Sequence, residues 1–268
     1  MPDAAGIYYS VHEEGSLEKP PLVLIHGAGA SHQIWPAELR DLPGFRVFAL
    51  DLPGHGKSAG TGGHSIFIYA DCLVKFLDTL HLRKAVFVGH SMGSAIALAL
   101  ALEHRSRVVA LGLIGTGAVL DVPGDLLDFS ANPATLPIAV ESLIQRSFGP
   151  RAPAPLIEDT IQCMLETRPG VLNGDLKACT FFDIRKQLDR IRLPIILFCG
   201  SEDRLTPPPY AHLLESCISA ACLRLYYGAG HMLFLERPQA LAADLVEFLN
   251  SIPEQVKKKQ GRLKTIPS

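Results

Sequence analysis

Residues 85–102 read Ala-Val-Phe-Val-Gly-His-Ser-Met-Gly-Ser-Ala-Ile-Ala-Leu-Ala-Leu-Ala-Leu, and the pentapeptide Gly89-His90-Ser91-Met92-Gly93 at their centre decides the fold. Ala85–Val88 is a β-type apolar run. Ser94–Leu102 is dominated by Ala and Leu, which favour helix. A chain that passes from strand to helix with no loop between them forces its corner residue into strained φ/ψ. Glycines two positions before and two after the corner let the backbones pass without Cβ clashes. The pattern G-x-S-x-G in this setting predicts Ser91 at the corner, its Oγ above the carboxyl edge of a sheet. The N-terminus of the helix beneath it would offer unpaired N–H groups to a developing anion.

Outward from this corner, strand-like and helix-like segments alternate. Leu22–His26, Phe45–Leu50, Ala85–Gly89, Val108–Ile114, Pro194–Cys199 and Leu223–Tyr227 read as strands, near-continuous in hydrophobicity as buried parallel strands should be. Ile7–His12 alternates more and reads as an edge strand. Ile66–Leu80 (with Ser65 as N-cap), Ser91–Glu103, Pro208–Ser219 and Pro238–Ser251 read as helices. The pattern is that of an α/β protein with a mostly parallel, doubly wound sheet. It breaks between Gly117 and Phe182, where Pro123, Pro133, Pro137, Pro150, Pro153, Pro155 and Pro169 cluster. Helical stretches are expected at Ile138–Ser147 and Leu156–Glu166, because a structureless loop of this length does not suit a compact domain. The expected organisation is a core of residues 1–116 and 183–255, an inserted helical cap over 117–182, and a basic, frayed tail over 256–268. Most apolar cap residues should pack onto the sheet. Leu126, Phe129, Leu143 and Phe148, with Met232 beyond the cap, are the candidates for a pocket wall.

Composition narrows the class. With 268 residues, 48% of them hydrophobic and 19% charged, the chain can bury a substantial core and is not a disordered protein. A formal net charge of −2 offers no overall attraction for nucleic acid or an anionic membrane. Ala95–Leu102, the longest apolar stretch, is too short to span a bilayer. The first residues, MPDAAGIYYSVHEEG, lack a basic region followed by an apolar run, so no signal peptide is expected. The six cysteines form no C-x-x-C pair and read as free thiols, which makes the cytoplasm the expected compartment.

A serine hydroxyl is a weak nucleophile at neutral pH and needs a base, which in turn needs an orienting acid. On a strand–turn–helix scaffold of this kind the chain order is Ser, then Asp or Glu, then His. Asp203, four residues past the strand-ending Cys199 and four before Pro207, is the candidate acid in preference to its neighbour Glu202. A helix-capping role is the structural alternative for Asp203. His231 lies in a Gly-flanked loop, Gly228-Ala-Gly-His231, after the last strand, and is the candidate base. His90 is expected to point away from the nucleophile.

Leu22–His26 followed by Gly27-Ala-Gly29 superficially suggests a dinucleotide-binding turn, with Asp51 at the end of the next strand. The third glycine of that fingerprint is absent and a histidine precedes the first. His-Gly after an early strand instead fits the second donor of an oxyanion hole, pairing the N–H of Ala28 with that of Met92. His26 reads as a brace of this loop. Asp51-Leu-Pro-Gly-His-Gly-Lys-Ser58 reads as a turn in which Asp51 and Ser58 bond backbone groups.

Together these segments, spanning residues 22–238 and including Glu236-Arg-Pro238, resemble the α/β-hydrolase superfamily in its capped, esterase-like branch. The resemblance implies hydrolysis of carboxylic esters of small to medium apolar substrates through an acyl-enzyme. Ser91 would attack, His231 would shuttle the proton, and Asp203 would orient His231. Ala28 and Met92 would hold the oxyanion. No metal or organic cofactor is implied, and the partner is a small-molecule ester. Carbon–carbon bond hydrolysis, lactonase and thioesterase chemistry use the same groups. A serine at position 91 argues against dehalogenases and epoxide hydrolases, which carry aspartate there. His90 and Met232 depart from the Asn and the aromatic residue common in the carbon–carbon bond hydrolases. A receptor that keeps the fold and senses a small ligand is the non-enzymatic alternative.

Overall fold

A computed structural model describes residues 3–15, 18–168 and 170–252 of the chain; the tail expected over 256–268 lies outside the described residues. The strands are β1 (Asp3–Ala4), β2 (Ile7–His12), β3 (Leu22–Ile25), β4 (Val47–Leu50), β5 (Ala85–His90), β6 (Val108–Ile114), β7 (Ile195–Gly200) and β8 (Ala221–Tyr226). The α-helices are α1 (Ala37–Arg40), α2 (Ile66–Thr79), α3 (Met92–Glu103), α4 (Gly124–Ser130), α5 (Leu136–Ser147), α6 (Ala154–Leu165), α7 (Val171–Thr180), α8 (Pro208–Cys217), α9 (Leu233–Glu236) and α10 (Pro238–Ser251).

The strands form one sheet in the order β1-β2-β4-β3-β5-β6-β7-β8. From β4 to β8 the neighbours are parallel, whereas β2 is antiparallel to β4 and β1 to β2. Ile7–His12 therefore lies one place in from the edge, which Asp3–Ala4 closes through a tight turn at Ala5 and Gly6, both at positive φ. The parallel strands feed both cores by alternation, interrupted in β6, where Val109 and Ala110 both face the second cluster beside a register shift against β5. Val23, Ile25, Phe87, Leu111, Leu113, Ile195 and Leu197 face one apolar cluster. Leu22, Leu24, Val86, Val88, Ile114, Ile196 and Phe198 face the other. This is the period-2 geometry of a strand buried on both sides.

α3 is the central helix, with Met92 through Leu102 all buried. Its small Ala and Gly side chains allow that depth. Ser91, just before it, adopts φ 52° and ψ −116°, a conformation that costs a non-glycine residue about 1–3 kcal/mol. Its N–H donates to the Ile114 carbonyl at 2.8 Å. A Cβ at Gly89 would come within 2.3 Å of the Gly93 carbonyl carbon, and one at Gly93 within 2.0 Å of the Ile25 oxygen. The ends of β3 and β5 and the start of α3 are thus in backbone contact, which the two glycines alone permit. Ser94 Oγ donates to the Gly89 carbonyl at 2.6 Å and accepts from the Ile114 N–H at 3.0 Å, bracing the corner.

The four helices α4–α7 are inserted between β6 and β7. The stretches expected at Ile138–Ser147 and Leu156–Glu166 correspond to α5 and α6. α4 is too brief to show a helical period. α7 starts directly after Gly170 and carries Gly174, so its pattern reads as a break in helix. Ser65 sits at the N-cap of α2 with extended backbone, yet its side chain makes no capping bond. Among the described residues no helix is long and apolar enough to cross a membrane, and all six cysteines are free.

Gly93→Ala should destabilise the fold by about 3 kcal/mol or more, because the contact it creates is with backbone; the expected fall in Tm is at least about 6 °C. Gly124→Ala, with nothing within 4 Å of the new Cβ, should leave Tm within about 2 °C of wild type. Thermal denaturation followed by circular dichroism compares the two.

Candidate active site

The strand order reverses direction at β3: β4 lies on one side of it and β5 on the other. Loops leaving the carboxyl ends of strands diverge at such a point and open a crevice. Gly27–Gly29 leave β3 and Ser91 leaves β5 at this position. The loop after β7 brings Asp203 to the same edge, and the loop after β8 brings His231. Ser91, His231, Ala28 and Gly27 line one cavity there.

His231 and Asp203 are both buried, at 3% exposure each. Asp203 Oδ2 is 2.8 Å from His231 Nδ1. The other oxygen accepts from the N–H groups of Leu205 (2.9 Å) and Thr206 (2.8 Å). Thr206 Oγ1 donates to Oδ2 at 2.8 Å. Burial alone would raise the Asp203 pKa. The attraction and hydrogen bond of His231, with the Thr206 bonds, outweigh it and hold the carboxyl below its ordinary value. A carboxylate held in this way accepts the Nδ1 proton of His231 and leaves Nε2 with its lone pair free. Asp203 also caps the turn that follows it, so its structural and its acid-partner readings coexist. Gly115, at φ 56°, is required here: a Cβ would lie 2.8 Å from His231 Nδ1.

The loop that carries His231 is anchored by three backbone N–H groups. Glu236 accepts from the Gly230 N–H (2.8 Å) and from the Gly149 N–H at the end of α5 (3.2 Å). The Met232 N–H donates to the Ser147 carbonyl at 2.9 Å. His90, expected to point away, instead packs under the base: its ring lies 4.8 Å from that of His231, and its Nε2 is 3.2 Å from the His231 carbonyl. Burial, with the neighbouring His231, holds its pKa well below the ordinary histidine value, so it is a neutral spacer. The corner conformation at Ser91 turns its neighbour inward, a consequence of backbone geometry that residue order does not show.

On the β3 side, His26 Nδ1 is 2.8 Å from the Gly27 carbonyl, while Nε2 accepts from the Leu52 N–H at 3.0 Å. One nitrogen donates and one accepts, so the ring is neutral; burial, then the nearby His55, push its pKa down to about 3. His26 is the expected brace. Asp51 accepts from the His32 N–H (2.7 Å) and the Lys57 N–H (2.8 Å), and Ser58 Oγ accepts from the Tyr8 N–H at 2.8 Å. The N–H groups of Ala28 and Met92 have no hydrogen-bond partner among the described residues, which suits a pair of donors waiting for an anion. The Met92 side chain itself is buried in the core cluster of α3.

One residue absent from the sequence reading organises this side. Asp175 of α7, fully buried, accepts from the Gly29 N–H (2.8 Å), His55 Nε2 (2.7 Å) and the Tyr69 hydroxyl (2.7 Å). His55 Nδ1 faces the Pro53 carbonyl at 3.1 Å. Both ring nitrogens thus meet acceptors, the mark of an imidazolium. Burial lowers the His55 pKa, but Asp175 overrides it and the net shift is upward. Asp175 lies in the proline-rich insertion, far in sequence from all its partners, and no local motif marks it.

Of the candidate pocket residues, Leu126, Leu143 and Met232 line the cavity. Phe129 and Phe148 are not among its lining residues. Phe148 ends α5 and packs into the core against the sheet. Phe129 is half-buried on the final turn of α4, where its carbonyl accepts from Thr135 Oγ1. Leu126 and Phe129 are three residues apart on α4, yet Leu126 is buried against the cavity and Phe129, on the last turn, is only half-buried. Ile144, Met164 and Leu176 of the insertion, and Leu120 and Val122 after β6, complete the apolar wall. Asp121 stands among them, held by the Tyr210 hydroxyl.

A parallel sheet with a serine elbow and a helical insertion over its carboxyl edge defines a class of hydrolytic scaffold. The chain belongs to the alpha/beta hydrolase fold family, whose model matches residues 20–238. It is 31% identical over 246 residues to a pimeloyl-[acyl-carrier protein] methyl ester esterase of Aromatoleum aromaticum, covering 84% of this chain and 96% of that one. A hydrolase from Pseudomonas aeruginosa PA01 superimposes with a TM-score of 0.82 at 28% identity, covering 91% of this chain and 94% of the other. A thermophilic esterase from Thermogutta terrifontis does so with a TM-score of 0.82 at 25% identity, covering 92% and 93%.

The raised pKa of His55 carries a sign for stability. A group whose folded pKa lies above its unfolded value, about 6.5 for histidine, stabilises the fold fully below that value and loses the contribution as pH rises through the folded pKa. The Tm gap between wild type and His55→Gln should therefore be larger at pH 6 than at pH 9. A gap that stays constant over this range would contradict a charged His55.

Proposed function

We propose that this chain is a serine esterase that cleaves carboxylic esters of small to medium apolar substrates through an acyl-enzyme. The observation that carries the reading is the convergence of Ser91, Ala28 and His231, whose Nδ1 is held by Asp203, on one largely apolar cavity, with the N–H groups of Ala28 and Met92 unpartnered among the described residues. Ser91 Oγ attacks the ester carbonyl carbon and its proton passes to His231 Nε2. The carbonyl oxygen becomes an oxyanion held by the two N–H groups. Collapse expels the alcohol, which leaves with the proton from His231. A water then attacks the acyl-enzyme, giving its proton to His231, and a second collapse releases the acid and restores Ser91. Asp203 stays ionised throughout, consistent with its lowered pKa.

The lining supports the substrate class: it is mostly apolar, and Asp121 in its wall is held by the Tyr210 hydroxyl. Leu126, Leu143, Ile144, Met164 and Met232 offer no charge to a bound acyl or alkoxy chain, so affinity comes from apolar burial, about 0.8 kcal/mol per CH₂. The family relatives named as esterases support the reaction class. We place the protein in the cytoplasm, a reading supported by its free cysteines.

Purified protein should hydrolyse short- to medium-chain aryl esters faster than lactones or thioesters of matching size and should react with a fluorophosphonate probe. Ser91→Ala should lose both, with kcat down by about 10³-fold or more. No turnover of any ester, together with an unlabelled Ser91, would sink the reading. Narrowing the cavity with Leu126→Trp should lower kcat/KM for the longest accepted acyl chain about tenfold relative to acetyl, since one methylene in an apolar pocket is worth about 10–200-fold. An unchanged chain-length profile would remove Leu126 from the pocket wall.

A further inference from the structure

We infer that Asp175 is a positioning residue that sets the oxyanion-hole loop from the inserted helix α7, so that the insertion helps to build the catalytic apparatus as well as its pocket. This rests on the esterase reading above. From its own side the loop Gly27-Ala28-Gly29 is held at the Gly27 carbonyl, by His26 Nδ1 at 2.8 Å and the Ala30 N–H at 3.3 Å. Gly29 is at φ 64°, and Ala28 donates to no partner among the described residues. The Gly29 N–H, one residue from the proposed donor, is bound by Asp175 Oδ2 at 2.8 Å. The same oxygen accepts from His55 Nε2 at 2.7 Å, and Oδ1 accepts from the Tyr69 hydroxyl at 2.7 Å. His55 reaches back to the loop by a second route, its ring packed at a tilt 4.7 Å from that of His26, whose Nδ1 bonds the Gly27 carbonyl. The Gly29 carbonyl is in turn bound by Thr167 Oγ1, also from the insertion.

Both sides of the residue after Ala28 are therefore held by the insertion, the N–H by α7 and the carbonyl by Thr167 in the turn before it. A Cβ on Gly29 would meet Leu172 at 2.8 Å, so α7 also presses on the loop sterically. A carboxylate accepting from a charged imidazolium and a backbone N–H makes bonds roughly twice as strong as neutral ones. Burial at 0% exposure keeps water from substituting for them. A donor misplaced by even a fraction of an ångström loses much of its hold on the oxyanion, and removing one such donor in a measured enzyme cost about 10²–10³ in kcat.

The test compares wild type with Asp175→Asn and Asp175→Ala, each shown folded by circular dichroism and assayed below its Tm. The substrate is the aryl ester preferred by the wild type. The inhibitor is the alkyl trifluoromethyl ketone of matching chain length: its carbonyl carbon bonds Ser91 Oγ, its oxygen becomes the oxyanion, and the proton lost by Ser91 Oγ passes to His231. Asp175→Ala should lower kcat about fiftyfold or more and weaken the ketone by a similar factor, with KM changed less than about threefold. Asp175→Asn, which keeps one acceptor without the charge, should fall between, at about five- to twentyfold for both. If the alanine variant does not fold, the asparagine variant decides alone. Wild-type kcat and ketone affinity in a folded variant overturn the inference, as does a loss confined to Tm or to KM. A wild type that turns over no ester and leaves Ser91 unlabelled defeats the esterase reading instead, so the two failures are separable.

Discussion

Ser91 is held in a conformation that an L-residue avoids, at the one point where β3, β5 and α3 touch through their backbones. The strain of about 1–3 kcal/mol is met by packing that leaves the chain no alternative. Gly93 sits against the Ile25 carbonyl, Gly89 against Gly93, and Ser94 bonds both β5 and β6. α3 can lie this deep because its first turn is small and its remainder is Ala and Leu, buried on every side. Relaxing the corner would require moving the central helix, and with it both faces of the sheet.

Everything else at the carboxyl edge is arranged around that corner. The reversal of strand order at β3 opens the crevice, and the parallel strands deliver their loops to the same side. Asp203 and His231 follow the last two strands, and the His231 loop is pinned by bonds that include contacts from the end of α5. The β3 loop is pinned from α7. The insertion therefore touches both halves of the site and is continuous with its polar framework. Buried histidines divide into charge states by their partners. His55, with acceptors on both nitrogens, carries a proton, whereas His26 and His90, desolvated beside other histidines, stay neutral. This separation keeps like charges apart within a dense cluster of imidazoles.

The elbow around Ser91, the chain order of Ser91, Asp203 and His231, and most of the sheet are legible in the residues alone. These depend on local constraints: a glycine two residues from a strained corner, an apolar run of strand length, an acid or histidine directly after a strand. Each is written in neighbouring residues, which is why Ser91, Asp203 and His231 could be singled out before any coordinates and why they lie together at one edge. Only the packed fold settles which cap side chains face the cavity: Leu126 and Phe129 lie three residues apart on α4, yet Leu126 lines it and Phe129, on the last turn, does not. The packed fold alone turned His90 beneath His231. It alone brought Asp175 to Gly29, His55 and Tyr69, residues separated from it by more than a hundred positions. A buried carboxylate is identified by the donors around it, and those donors meet only when helices packed by apolar contacts close over the sheet.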